Sequence, residues 1–322
     1  MTARPEAAAG RPVRVLVTGA GGPAGVCAIR GLAGRYDVVA TDADPCAVGL
    51  RLAPQSRVIG RADRPGFVDR LCDVARETGA EVLLSTVAEE LVELARHRDR
   101  LEAAGLVAWL PDPAAVQRCT DKWAFHEALT AAVVPTPATG LGTAEGVDGP
   151  WIVKPRFGRG SRDVFAVDER RDLDVLLGRV TDPLVQHRLI GREFTADALV
   201  DDDGTVLCVA PRWRLETKAG ISTKGETFCN RAVDSVVAAA LGAVGLAGPA
   251  NVQGFVTADG PVVVEINPRL SGGLALTQHA GADLLGAYVE HALGRPVDRD
   301  RLRARPGVTM FRHFVEVFES CA

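Results

Sequence analysis

Glu265 and Asn267 are the residues of this sequence most plainly placed for chemistry. They lie in the run Val262-Val263-Val264-Glu265-Ile266-Asn267-Pro268-Arg269-Leu270-Ser271-Gly272-Gly273. The run reads as a strand, in which side chains two apart share a face. Glu265 and Asn267 therefore project together, with Val264 and Ile266 expected in the core. Two aligned oxygen donors with room for water and phosphate suit magnesium, which dehydrates reluctantly and is usually held by one or two carboxylates plus a nucleotide. A solvated sheet face is the alternative, but it leaves Asn-Pro-Arg and the two glycines after it without a purpose.

The elements around this run divide the chain into three segments, 1–118, 119–190 and 191–322. The first opens as strand, glycine-rich loop, helix and strand, from Val13-Arg14-Val15-Leu16-Val17-Thr18 through Gly19-Ala20-Gly21-Gly22-Pro23-Ala24 to Asp37–Thr41. Gly19-x-Gly21-x-x-Ala24, with Asp42 after the next strand, fits a relaxed dinucleotide fingerprint. A tight strand-to-helix turn needs glycines without any nucleotide, so a nicotinamide site and a structural turn both stay open here. The second segment is a small α+β lid containing the strand Trp151–Lys154 and the loop Arg156-Phe157-Gly158-Arg159-Gly160-Ser161-Arg162-Asp163. Strands with strong alternation mark the third as mostly antiparallel sheet, ending in an expected strand from Val308 to Phe318.

Composition narrows the chemistry. A chain of 322 residues that is 47% apolar can bury a large core, and 37 basic against 41 acidic residues give a net charge of −4. No basic footprint for nucleic acid or an anionic membrane is present. The first residues lack a signal-peptide apolar region, no run is long enough to span a bilayer, and a cytoplasmic protein is expected. Seven cysteines without C-x-x-C spacing argue for reduced, structural thiols.

The pair Asn251-Val252-Gln253 and Val264-Glu265-Ile266-Asn267-Pro268-Arg269-Leu270-Ser271-Gly272-Gly273 resembles the metal hairpin of the ATP-grasp superfamily, closest to its carbamoyl phosphate synthetase large-subunit branch. The resemblance implies an α/β ATP-grasp fold: an N-terminal Rossmann-like domain, the lid, and an antiparallel C-terminal subdomain. It implies Gln253, Glu265 and Asn267 as ligands of magnesium (or manganese) bridging ATP phosphates, and Arg269 beside the transferred phosphoryl group. Asp121-Lys122 resembles the family's entry to the lid, and Lys154 its second nucleotide lysine. Gly158, Gly160 and Ser161 would cover the phosphates. Gln186, His187 and Leu189 resemble the hinge along adenine, and Glu193 the residue on the ribose hydroxyls; many relatives carry Glu where this chain has Gln186.

Pro211–Lys218 alternates strictly, placing Arg212, Arg214, Glu216 and Lys218 on one face. The face is either a wet edge or, with Arg269, Ser271 and Gly272, the place for an anionic substrate. The resemblance implies an ADP-forming carboxylate–amine ligase, with small-molecule acid and amine substrates and a homodimer as a candidate assembly. Its rivals are phosphoryl transfer without ligation, a non-catalytic nucleotide-binding partner, and a dehydrogenase. The hairpin turn decides whether the metal ligands converge. A three-residue Ala258-Asp259-Gly260 loop puts Gln253 opposite Glu265, with Phe255 and Val263 beneath them; a two-residue Asp259-Gly260 loop puts Gln253 opposite Ile266.

Overall fold

The computed structural model describes residues 11–158, 160 and 162–319. The chain forms two compact units: one runs to Pro113 and takes in Arg269–Arg305 and the chain from Phe311, and the other comprises Ala114–Pro268 with Pro306–Met310. The expected α/β class is present, with a parallel sheet in the first unit and antiparallel sheets in the second. Among the described residues no helix is long and apolar enough to cross a membrane.

In the first unit the parallel strands lie in the order Gln55–Val58, Asp37–Asp42, Arg14–Val17, Val82–Leu84. The central ones are continuous apolar runs, as a sheet covered on both faces requires. Pro23 begins the following helix, Pro23–Leu32, where its missing N–H costs nothing. Gly25 lets that helix sit on the loop, since a Cβ there would stand 2.2 Å from the Gly19 carbonyl oxygen. Asp42, at the position of a ribose-binding acid, accepts hydrogen bonds from the Gly21 and Asp44 amides at 2.8 and 2.9 Å. The helix Leu284–Ala292 buries Tyr288, whose hydroxyl donates to the Leu83 carbonyl at 2.8 Å. The expected strand from Val308 to Phe318 is only Thr309–Phe311. Beyond it Phe314 and Phe318 are 96% and 88% exposed, so the apolar pattern there meets no surface that would hold it as a strand.

The second unit holds two sheets. A four-stranded one has the order Thr139–Leu141, Pro183–His187, Trp151–Pro155, Phe165–Val167. A six-stranded one has the order Gly260–Asn267, Gly248–Thr257, Arg192–Val200, Val206–Lys218, Ile221–Thr227, Thr309–Phe311. One face of the large sheet is apolar. Phe194, Ala196, Ala198, Val252, Val263 and Ile266 form a core there with Val233, Val237, Ala240 and Leu241 of the helix Arg231–Val244.

Gln253 does pair with Glu265, but neither loop considered above produces the pairing. The turn is Ala258-Asp259, with Thr257 opposite Gly260 and Gly254 opposite Val263; the register then shifts by one, so that Gln253 meets Glu265 and Asn251 meets Asn267. The extra residue is Val264, a β-bulge that breaks the alternation. Consequently Val263, not Val264, shares the core with Ile266, and Val263 does not lie beneath the metal ligands. Gly254 sits at the shift: a Cβ there would lie 2.3 Å from the Val262 carbonyl oxygen and 2.7 Å from the Phe194 ring. Gly254→Ala is therefore expected to cost about 1–3 kcal/mol of stability as the bulge or Phe194 is displaced. Urea unfolding measures it, and a midpoint equal to the parent's would remove the bulge as a packing constraint.

Candidate active site

The polar face of the large sheet gathers the residues singled out in the sequence. Cross-strand register places Thr195 beside Gln253, Asp197 beside Asn251, and Arg212 beside Thr195. Side chains two apart continue the same face, so Glu193, Arg214, Glu265 and Asn267 belong to it. Asn267 Nδ2 donates to Glu265 Oε1 at 2.9 Å, which fixes the two ligand candidates against each other. Arg214 links the remaining pair: its Nη1 donates to Gln253 Oε1 at 2.7 Å and its Nε lies 3.3 Å from Glu193 Oε1. Burial pushes the Glu193 carboxyl up and the nearby Glu265 charge adds to this, while Arg214 opposes both.

The small sheet and the helix before it supply the cations. Asp121 caps the helix Lys122–Ala131, accepting from the Trp123 and Ala124 amides, and its carboxylate also grips Arg156 at 2.7 Å. That grip, with the neighbouring cap bonds, holds the Asp121 carboxyl below the usual range despite partial burial. Lys122 Nζ donates to the Gly158 carbonyl at 2.9 Å, so the helix start and the glycine loop are tied together. Gly158 and Gly160 have φ of 151° and 65°, backbone that glycine adopts at little cost; Ser161 lies outside the described residues.

Lys154, buried at the end of its strand, donates to Gln186 Oε1 at 2.9 Å. Gln186 in turn donates to Thr139 Oγ1, also at 2.9 Å, and Thr139 donates to the Pro137 carbonyl. This chain of donors turns the amide oxygen of Gln186 toward the lysine. Since an amide carries no charge, burial dominates and Lys154 falls to about 8, with Lys122 pushing the same way and Glu265 against. Lys122 is lowered by burial too, with Glu265 and Asp121 opposing. Glu265 thus acts on both lysines. In the hinge, His187 and Arg188 spend their amides on the Ala138 and Pro150 carbonyls, whereas the Leu189 amide donates to none of the described residues.

Other assignments change. Arg212 is 1% exposed and forms a bidentate pair with Asp197 at 2.6 and 3.2 Å, so it does not present an open face to an anionic substrate. The strict alternation expected through Lys218 is broken by register shifts at Arg214, Glu216 and Thr217. Lys218 is exposed at the strand end, beside a turn in which Ala219 and Gly220 both have positive φ. Arg269, Ser271 and Gly272 belong to the first unit. There Arg269 Nη1 donates to the Leu270 carbonyl at 2.9 Å, Ser271 Oγ accepts from the Gly273 amide at 3.1 Å, and the Gly272 carbonyl accepts from Arg312.

Sequence reasoning missed the network beneath the site, in which Asn251 Nδ2 donates to Thr195 Oγ1 at 2.6 Å and lies 3.2 Å from Asp197 Oδ1. The available signal was Thr195-Ala196-Asp197, two polar side chains on one face of the otherwise apolar stretch 194–200.

With this geometry in view, the chain can be set beside known proteins. An ATP-grasp domain profile matches residues 119–273, and a PylC-like N-terminal domain profile matches residues 15–108. Residues 119–273 thus carry an ATP-grasp domain. A relative in Sinorhizobium fredii (strain NBRC 101917 / NGR234), the uncharacterized protein y4rH, is 31% identical over 221 residues, 61% of this chain and 46% of that protein. The carbamoyl phosphate synthase large chain of Mycobacterium sp. (strain JLS) is 28% identical over 208 residues, 57% of this chain and 19% of that one. The chain thus spans less than half the length of these curated relatives. Among solved structures, the L-amino acid ligase from Bacillus licheniformis superposes with a TM-score of 0.70 at 17% identity, covering 92% of this chain and 78% of that one. Biotin carboxylase from Campylobacter jejuni gives 0.71 at 16% identity, covering 91% and 74%. At such identities the likeness of this chain to the solved structures is one of fold.

The ATP-grasp sheet rests on the buried Arg212–Asp197 pair. Removing one member leaves the other charge buried and uncompensated, which costs about 3–5 kcal/mol. Asp197→Ala is expected to lose that much stability in denaturant unfolding, whereas Glu216→Ala, which breaks an exposed, solvent-screened pair with Lys224, is expected to lose far less. Equal losses would overturn the ranking.

Proposed function

We propose that the chain is an ATP-dependent, ADP-forming ligase that activates a substrate carboxylate as an acyl phosphate and joins it to an amine. The observation that carries this reading is the charge arrangement of the second unit. Two lysines, the buried Lys154 and the partly buried Lys122, share the field of one carboxylate, Glu265, and Lys154 has only a neutral amide as its hydrogen-bond partner. Such a site is completed by a polyanion.

The donor set fits magnesium. Among the described residues no group of three or more His, Cys, Asp or Glu could hold a metal ion, and a cage of that kind is not what magnesium uses when phosphates supply the other ligands. Glu265 and Asn267 offer adjacent oxygens; Gln253 would join them once its amide oxygen is released from Arg214. When bound, the metal would neutralise charge on the transferring phosphoryl group.

This chain's own residues do the positioning. Lys122 and Lys154 take the phosphates, the loop through Gly158, Gly160 and Ser161 covers them, and the free Leu189 amide beside Gln186 and His187 meets the adenine. Glu193 takes the ribose hydroxyls. Arg269, two residues along the chain from Asn267, is assigned to the phosphoryl group in flight. A carboxylate oxygen attacks the γ-phosphorus as the β–γ bridging bond breaks, leaving ADP. The amine then attacks the acyl carbon, and phosphate departs with the carbon–oxygen bond pair.

Two experiments test the reading. ADP release from MgATP, screened against pooled carboxylates with and without amines, is expected to require both substrates. Glu265→Gln should lower it about 100-fold or more with an unchanged melting temperature, and turnover near the parental rate sinks the site. The second concerns pH. A buried lysine lowered to about 8 is cationic below that value and neutral above it, so MgADP affinity should fall as pH rises through about 8. Gln186→Glu gives Lys154 a counter-ion and should move the fall to higher pH. Identical profiles for parent and variant would dissociate Lys154 from the phosphates.

A further inference from the structure

Arg214 has a third partner besides Gln253 and Glu193. Its Nη2 donates to the Gly220 carbonyl at 3.0 Å, in the turn that joins Val206–Lys218 to Ile221–Thr227. On a straight strand residue 220 would stand roughly 15–20 Å from residue 214, well beyond the reach of one side chain. The hairpin tip must therefore bend back, and toward the polar face, where Arg214 meets Gln253 and Glu193. Register shifts between Arg214 and Glu216 and between Glu216 and Thr217 supply the bend, since a bulge kinks its strand and adds twist. Burial agrees. Ser222 is 7% exposed and Ile221 is half-buried, whereas Leu215, Thr217 and Lys218 are exposed, so one side of the tip is covered and the other is open.

The tip needs such a tie. Beyond Trp213 the strand Val206–Lys218 has left its neighbour Arg192–Val200, and a two-stranded ribbon is marginal in water. The turn is also strained, because Ala219, with a φ of 47°, places a Cβ in the left-handed region. Yet the guanidinium that ties the tip down is committed to the residues assigned to nucleotide and metal. Nη1 holds the Gln253 oxygen, and Nε is buried 3.3 Å from Glu193 Oε1 without the alignment of a hydrogen bond. The Arg214 side chain is only 7% exposed. Once magnesium takes Gln253 and ribose takes Glu193, a guanidinium left in place is a buried charge without its partners, which is strongly unfavourable. It then has to move, and Gly220 loses its donor.

We propose that Arg214 is a positioning residue that folds the tip, residues 215–224, over the polar face while nucleotide is absent, and releases it when magnesium and ribose displace it from Gln253 and Glu193. An order of binding follows: the face under the tip opens to the carboxylate substrate only after MgATP is seated. This role rests on the ligase reading, in which those two residues serve metal and nucleotide. A purely structural bracket is the competing role, and it keeps the tip protected whether or not nucleotide is bound.

Hydrogen exchange of the full chain, read by mass spectrometry over residues 215–224 with and without MgADP, tests it, with calorimetry on the same samples to measure nucleotide binding. In the free parent these amides should be protected, and saturating MgADP should speed their exchange about tenfold or more. Arg214→Met should exchange there about tenfold or more faster than the parent without nucleotide and respond little to MgADP, while the helix Arg231–Val244 keeps its parental protection. A tip unprotected in the free parent, exchange unchanged or slowed by bound MgADP, or parental protection in Arg214→Met would each overturn the proposal. The comparison of the parent with and without MgADP decides the matter if the variant does not fold. MgADP that fails to bind the parent removes the nucleotide reading and this role with it; MgADP that binds without freeing the tip removes this role alone.

Discussion

The strand Gly260–Asn267 must serve two faces of one sheet, and the bulge at Val264 is what allows it to do so. Near the turn, alternation sends Val263 into the core. Past the bulge it sends Ile266 there as well, three residues on, and turns Glu265 and Asn267 to the polar face. Without the extra residue, the register set by the Ala258-Asp259 turn would bring Val264 opposite Gln253, and the carboxylate would leave the polar face. The core and the site thus depend on the same one-residue displacement. Gly254 permits it by leaving space for the Phe194 ring and the Val262 carbonyl.

Two kinds of polar bond support that face, and they differ in what they permit. The Arg212–Asp197 pair is buried, bidentate and tied to Asn251, so it fixes strand positions and has no spare capacity for a ligand. Arg214 is attached to both Glu193 and Gln253, two residues proposed for nucleotide and metal. Its guanidinium occupies the acceptor oxygens that a nucleotide complex would use. Ligand binding there exchanges one set of partners for another and does not fill an empty space, which lowers the desolvation cost of the free state.

How much of this was legible in the sequence depends on the range of the interaction. The shared face of Glu265 and Asn267 was readable because a period of two along one strand is a local property, and the place of Lys154 near a strand end because the run before it is apolar. The βαβ start and the antiparallel third segment followed from the order of strands, helices and glycine turns, and the ATP-grasp fold from the resemblance of the hairpin motif. The bulge was not readable: in Val262-Val263-Val264 any of three equivalent side chains can take the core position, so the pattern fits either register. Arg212 was misplaced for a different reason. Alternation gives the face but not the partner, and its carboxylate, Asp197, arrives from a neighbouring strand. Glu90 looked like an ordinary acid in the first turn of a helix, where acids are favoured by the dipole. Its burial comes from the strand order, which is a long-range fact.

Lys154 and Glu90 have a physical situation in common. Each is buried and hydrogen-bonded to neutral groups alone, Gln186 in one case and the Thr18 and Ser85 hydroxyls in the other. Desolvation moves both toward neutrality from opposite sides, the lysine down to about 8 and the glutamate up to about 7. A buried ionisable group is costly as a structural element, since a neutral isostere would keep the hydrogen bonds without the desolvation. For the lysine it becomes favourable when a ligand of opposite charge completes it. The lysine stands in the unit whose lid and metal hairpin suit a polyphosphate, and the glutamate stands at the sheet edge where every neighbouring charge is acidic. The two groups are thus displaced toward neutrality by the same cause, burial beside neutral partners, and differ only in the sign of the charge that burial suppresses.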